Sequence, residues 1–337
     1  MSKAIVILEG EALPKAGRGT RPNDVQDRNA QSFAGIELLG GSVVDRVLEQ
    51  LNGEGIETIL ISTERDLQGD SNVDSSKDPD ASWSVAERHL EHLGAAGEHS
   101  ALVMRIGSYA EINAAQFLQF RAEKRESVTR AFKGENALEI WAVDPSRLAE
   151  IVQADGNSLR SVLLGKSSPY EFEGYVNPLS SPRDVRTLVG DALNGRCAFR
   201  PLGFEVRPGV WMAEGSEVEN EARIVAPAFI GRDVTISRQC LITRGSNIER
   251  DSLIDYGTVI EDTSILPNTY VGIGLDVSHS IVDGETLLNL QHGVVLQVED
   301  SAVMRRNKVL GRSERSGWWM GLRTREKVQA PVDEGAA

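Results

Sequence analysis

A chain of 337 residues, 40% hydrophobic and 26% charged, has room for two domains with real cores and is not a disordered polymer. Its net charge of -14 argues against general nucleic-acid binding, because phosphates are neutralised by clustered Lys and Arg. Two cysteines, Cys197 and Cys240, provide neither metal-ligand spacing nor a disulfide framework, and they fit a reducing, cytoplasmic compartment.

Taken from the N-terminus, "AIVIL" (4–8) is the apolar run of a buried strand and is too short for a signal peptide. No run of about 18 apolar residues follows, so no transmembrane segment is expected. After the strand, "EGEALPKAGRGTRP" (9–22) contains Gly-x-Gly-Thr-Arg, a pattern in which glycine lets backbone amides approach a phosphate. "SVVDRVLEQLNG" (42–53) predicts a helix capped by Ser42, with Val43, Val44, Val47, Leu48 and Leu51 on one face and Gly53 ending it. "IETILIS" (56–62) is the next strand, and residues 65–80 have almost nothing to bury and read as a solvated loop. A helix over 83–94, a strand over 101–107 and a helix over 113–124 capped by Asn113 continue the alternation of an α/β sheet. His89 and His92 lie three apart on the first of these helices without a third ligand nearby, so they are assigned to a solvated face rather than a metal.

From about residue 204 the period changes to six. Val218, Ile224, Ile230, Ile236, Ile242, Ile248, Ile254, Ile260 and Leu266 stand in unbroken register, each preceded by a small or short residue two places earlier, from Ser216 to Ser264. Such hexads build a parallel β-helix, in which each forms one flat side and three make a coil. The aliphatic residue points inward and the small one fits beside the corner. Val206 and Met212 extend the register toward a fourth coil, whereas Gly272 and Ser278 break it, so the stretch around 270–300 is irregular or restarts on another phase. The tail, 301–337, is basic: Arg305, Arg306, Lys308, Arg312, Arg315, Arg323, Arg325 and Lys327 accompany the pair Trp318 and Trp319, as in a flap packed against the coils.

Three segments together resemble the sugar-phosphate nucleotidyltransferases (NDP-sugar pyrophosphorylases), especially their mannose-1-phosphate guanylyltransferase-like branch. They are "KAIVILEG" with "IELLGGSVVDRVLEQLNGEGIETILIS", then "GYVNPLSSPRDVRTLVGDALNGR" (174–196), then the hexads. The resemblance implies a Rossmann-like nucleotidyltransferase α/β domain over 1–196, a left-handed parallel β-helix of hexapeptide repeats over 197–300, and the tail. It also implies Gly10, Lys15, Gly17, Gly19, Thr20 and Arg21 as the residues that would meet a nucleotide or sugar phosphate.

In the family, two aspartates hold the Mg²⁺ that neutralises charge during in-line attack on the α-phosphate. Here the matching positions are Ser108 and Pro178, and the usual lysine maps onto Phe33 and Ala34. Neither Ser108 nor Pro178 offers a carboxylate. No catalytic residue, metal ligand or cofactor is therefore assigned. The expectation is a non-catalytic regulatory or scaffolding homologue in nucleotide-sugar or surface-polysaccharide metabolism. It would form a homo-oligomer, or a hetero-oligomer with an active nucleotidyltransferase, through the β-helix. One alternative is an active, Mg²⁺-dependent pyrophosphorylase using Glu9, Glu11, Glu111 or Asp184. Another is a hexapeptide-repeat acyltransferase using His279 or His292.

Overall fold

The computed structural model describes residues 2–8, 33–62, 81–155, 158–165 and 167–307. Its N-terminal half is built on a six-stranded mixed sheet. The strands are β1 (Lys3–Leu8), β2 (Glu57–Ser62), β3 (Ala101–Arg105), β4 (Val128–Lys133), β5 (Asn136–Val143) and β6 (Ser168–Glu171), in the order β2-β1-β3-β5-β4-β6. The pairs β1–β2, β1–β3 and β4–β6 are parallel, and β5 runs antiparallel between β3 and β4.

Period-two alternation gives this sheet two buried faces. Ala4, Val6, Leu8, Leu102 and Met104 point one way, into a core with helices α1 (Val43–Gly53), α3 (Ala114–Lys124) and α6 (Pro182–Leu193). Ile5, Ile7, Ile61, Val103 and Trp141 point the other way, onto α2 (Ala81–Ala95), α4 (Pro145–Asp155) and α5 (Leu159–Leu164). The Trp141 indole N–H donates to the Leu163 carbonyl at 2.8 Å, which satisfies the polar atom of a fully buried ring. The caps expected at Ser42 and Asn113 are formed: Ser42 and Asp45 make a reciprocal capping box, and Asn113 accepts from the Gln116 amide. α1 runs through Gly53, with Glu54 as its C-cap. On α2 His89 is half-buried and His92 exposed; burial, then the neighbouring His92 and Arg88, lower the His89 pKa.

Beyond α6 the chain winds through short parallel strands that fall into three sheets, the arrangement a β-helix requires. Val210 pairs with Ala228 and Met212 with Ile230, 18 residues on, and the other two sides repeat the same step. Ile230, Ile236, Ile242, Ile248, Ile254 and Ile260 are fully buried in one axial core. After Ile248 the step shortens to 17, because Asn247 pairs with Ser264 and Ile248 with Ile265. The inward residue is therefore Ile265 rather than Leu266, whose side chain joins the core under the sheet domain. Val271, Val277 and Val282 continue the axial stack on this new phase.

The shortened corner lies at Asp262 (φ +44°), where one left-handed residue replaces the pair Arg244 and Gly245 of the coil before. His279 (φ +48°) repeats it one coil later. Val206 does not extend the stack: it is 54% exposed, on strand Phe204–Arg207, which turns back antiparallel onto Val210–Met212. At the far end Met304–Arg306 folds back antiparallel along Thr269–Val271, and strands Thr286–Asn289 and Val294–Gln297 lengthen one side as a meander. Among the described residues no helix is long and apolar enough to cross a membrane.

Candidate functional site at the carboxyl end of the sheet

The chain leaves β1 for β2 through α1, then crosses through α2 on the opposite face to β3 on the other side of β1. The reversal between β1 and β3 is a topological switch point, the place where open α/β sheets bind ligands outside the carboxyl ends of their strands. There the ladder runs one residue past β3, with Ile106 N–H donating to Ile7 at 2.9 Å, and is followed by Gly107 and Ser108. A two-residue ladder then pairs Ala110 with Val176 and Tyr109 with Asn177, antiparallel. Ser108 and Pro178 follow just beyond the Tyr109–Asn177 pair, outside the two-residue ladder. Two segments some seventy residues apart in the chain are thus brought together at the two positions singled out for a metal, and both are without a carboxylate.

The neighbouring acids already have partners. Glu111 accepts from the Tyr109 hydroxyl at 3.2 Å and from the Ala198 amide. Asp184 is the N3 residue of the α6 capping box and accepts from the amides and hydroxyls of Ser180 and Ser181 at 2.8–3.0 Å. Asp191 accepts from the Tyr175 hydroxyl at 2.6 Å, and Glu139 pairs with Arg105. Burial, and after it the charge of Glu111, raises the Tyr109 pKa far above that of a free phenol. Gly174 is required just before this ladder, since a Cβ there would lie 2.6 Å from the Glu111 carbonyl.

Among the described residues no group of three or more His, Cys, Asp or Glu could hold a metal ion. Phe33, which the resemblance aligns with a lysine, is packed into the core beneath the sheet. Gly10, Lys15, Gly17, Gly19, Thr20 and Arg21 lie outside the described residues, as do Glu9 and Glu11.

A second polar cluster, at the junction with the coils, was not singled out by the sequence. Arg186 of α6 is 9% exposed and inserts its guanidinium into the coil corner. It donates to Asn247 Oδ1 (2.9 Å), Ser264 Oγ (2.8 Å), the Gly245 carbonyl (2.9 Å) and Asp262 Oδ1 (2.9 Å). Burial lowers the Arg186 pKa, with Asp262 acting against it. Asp262 Oδ2 lies 2.7 Å from His279 Nδ1. Burial alone would raise the Asp262 pKa, but the hydrogen bonds from Arg186 and His279 outweigh it, and the pKa falls.

Asn247 turns its amide to Glu249 Oε1 at 2.6 Å. Glu249 is 0% exposed and also accepts from the amides of Leu39 (2.7 Å) and Gly40 (3.0 Å), the two positive-φ residues of a tight hairpin turn that leads into α1. Burial pushes its pKa up to about 7 against the pull of these three donors. The chain matches no protein-family model, and no curated protein is significantly similar to it in sequence.

Proposed function

We propose that the chain is a nucleotidyltransferase-like protein of nucleotide-sugar or surface-polysaccharide metabolism that does not catalyse the transfer. It would work as a regulatory or scaffolding partner. In this reading the sheet domain is a Rossmann-like nucleotidyltransferase domain and the coil array a left-handed parallel β-helix. The observation that carries it is the Tyr109–Asn177 pair, which brings the segments holding Ser108 and Pro178 together beside the switch point. In this reading the two positions that the resemblance gives to metal-binding aspartates are held by Ser108 and Pro178, which bring no carboxylate. Nucleotidyl transfer builds negative charge that a metal or a set of cations must neutralise, and a hydroxyl and a pyrrolidine ring supply neither.

The expected outcome is no NDP-sugar formation from GTP, ATP, UTP, dTTP or CTP with sugar 1-phosphates and Mg²⁺. Calorimetry would detect nucleotide binding, if retained, with an affinity that Mg²⁺ leaves unchanged. Turnover that disappears in Glu9→Gln or Glu11→Gln would overturn the reading in favour of an active enzyme. Glu111 and Asp184 are poorer candidates because structural donors converge on one carboxylate oxygen of each.

The Asp262–His279 contact favours a second reading, a hexapeptide-repeat acyltransferase with His279 as its base. It ranks lower because Asp262 is also committed to Arg186, which accounts for the contact as part of the domain junction. Loss of acetyl transfer in His279→Ala, with unchanged stability, would promote it.

A further inference from the structure

One side of the coils is the sheet of Glu217–Val218, Thr235–Ile236, Leu253–Ile254 and Thr269–Val271, which is parallel throughout, each strand following the last by 18 or 17 residues. Its final strand keeps neither rule. Met304–Arg306 returns after the meander and runs antiparallel, with Val271 against Met304, Tyr270 against Arg305 and Thr269 against Arg306. It is laid along the last edge rather than wound into the array.

Each side chain of this strand has a receptor of its own. Met304 is buried and enters the axial core. The Arg305 guanidinium lies 3.6 Å from the centre of the Tyr270 ring, and the Tyr270 hydroxyl donates to Asp255 Oδ2 at 2.9 Å, which places a carboxylate at the ring's outer end. Arg306 donates to Asp283 Oδ1 at 2.6 Å. The backbone is received as closely: the Gly272 amide donates to the Val303 carbonyl at 2.8 Å, and a Cβ on Gly272 would collide with the Ala302 carbonyl. Main-chain bonds along a sheet edge, with pockets for the side chains, are how folded domains read an extended peptide.

We propose that the edge Thr269–Val271 is a docking groove for an extended peptide in which an apolar residue is followed by two arginines, and that Met304–Arg306 fills it as an autoinhibitory strand. The partner's chemistry follows from the receptors. The apolar residue fills the place of Met304, and an acid at either of the next two places would meet Asp255 or Asp283. A competing peptide of this pattern replaces the contacts of the resident strand like for like, so the exchange turns on the effective concentration that the tether gives that strand. The groove lies on the coils, and its use does not depend on whether the sheet domain binds a nucleotide.

The test uses the full chain and a labelled synthetic peptide with the sequence DSAVMRRN, that of residues 300–307. Arg305→Ala combined with Arg306→Ala weakens the resident strand and leaves Met304 in place, so the circular dichroism spectrum should not change. By fluorescence anisotropy this variant should bind the peptide about ten-fold or more tightly than the wild type does, because the resident strand no longer competes at full strength. A peptide with alanine at both arginine positions should bind the variant about ten-fold or more weakly. In the wild type, millimolar DSAVMRRN should speed hydrogen exchange in the segment 303–307, which it displaces, and the alanine peptide should not. A folded variant that binds no peptide, equal binding of the two peptides, or exchange in the wild type that the peptide leaves unchanged would overturn the proposal.

Discussion

Glu249 holds three N–H donors in a place that water does not reach, and two opposing effects set its behaviour. The donors favour the carboxylate, while desolvation favours the acid and wins, raising the pKa to about 7. Nearby Glu37 adds to the rise, and its own partner Arg250, 2.8 Å away, also holds Asp251 at 3.0 Å. A carboxyl whose folded pKa exceeds its unfolded value binds the proton more tightly when folded. Its stabilising contribution is complete below about pH 4.5 and is lost as pH rises through 7. The loss is on the order of 3 kcal/mol. Urea unfolding across that range should show the wild type losing stability relative to Glu249→Gln as pH rises; parallel curves would contradict the assignment. At pH 5 the variant should be the weaker protein, because its amide NH₂ faces an N–H donor and leaves it unpaired.

Arg186 is the second decisive residue. Its planar fork meets four acceptors on two successive coils, a geometry that an ammonium cannot reproduce. Arg186→Met would strip a buried network of its donor and should cost about 3–5 kcal/mol in denaturant unfolding. Arg186→Met combined with Asp262→Asn should recover part of that loss, because it also removes the carboxylate left unpaired.

At the scale of the elements, the short residues beside the corners do more than leave space. The hydroxyls of Ser246, Ser252, Thr258 and Thr263 each donate to a carbonyl in the next coil, 14 residues on. Each also accepts an amide 17 residues on, at 3.1–3.2 Å. Side chains thus supply the bonds between coils at corners, where the strand ladder is interrupted. Thr258→Val keeps the shape but orphans the Gly272 carbonyl and the Leu275 amide, and should lower stability by about 1–3 kcal/mol. Ile248→Ala, in the middle of the axial stack, should cost about 2–5 kcal/mol through transfer and cavity terms together. Thermal or urea unfolding of the two variants, each compared with the wild type, checks both values.

For the whole molecule, the sheet domain and the coils are not separate bodies joined by a linker. Phe229, Leu266 and Ile281 project from the outer face of one coil side into the core that contains α1, α3 and α6. The hairpin turn at Leu39 and Gly40 is held to Glu249 by its amides and to the Leu202 amide by the Leu39 carbonyl. A shared core of this kind couples the unfolding of both parts. Calorimetry should show one transition, and Phe229→Ala should move it as a unit; two transitions assignable to the halves would show the junction to be weak.

Much of this was legible in the residues. The helix caps at Ser42 and Asn113 need only local bonds, and the strands near 4–8, 56–62 and 101–107 show as short apolar runs, although the last ends at Arg105. The hexads showed the axial core as far as Ile260, because a repeat that stacks on itself must reuse one residue type at one spacing. The change of phase after Ile260 was visible only as a failure of the pattern at Gly272 and Ser278. Its cause, a corner one residue shorter, depends on a backbone conformation at Asp262 that the side-chain period does not encode.

The sequence by itself determined that the chain alternates strands and helices and then turns to a six-residue repeat. It also shows that Ser108 and Pro178, the positions a resemblance to the nucleotidyltransferases would give to metal ligands, have no carboxylate. Tertiary structure alone decided that Tyr109 pairs with Asn177, next to Ser108 and Pro178, since a ladder between distant segments is fixed by nonlocal pairing. It alone assigned Glu111 and Asp184 to structural bonds, and it joined Arg186, Asp262, Asn247 and Glu249 into one buried network. A polar residue's worth depends on whether water can reach it, and burial belongs to the folded chain and not to any local pattern of residues.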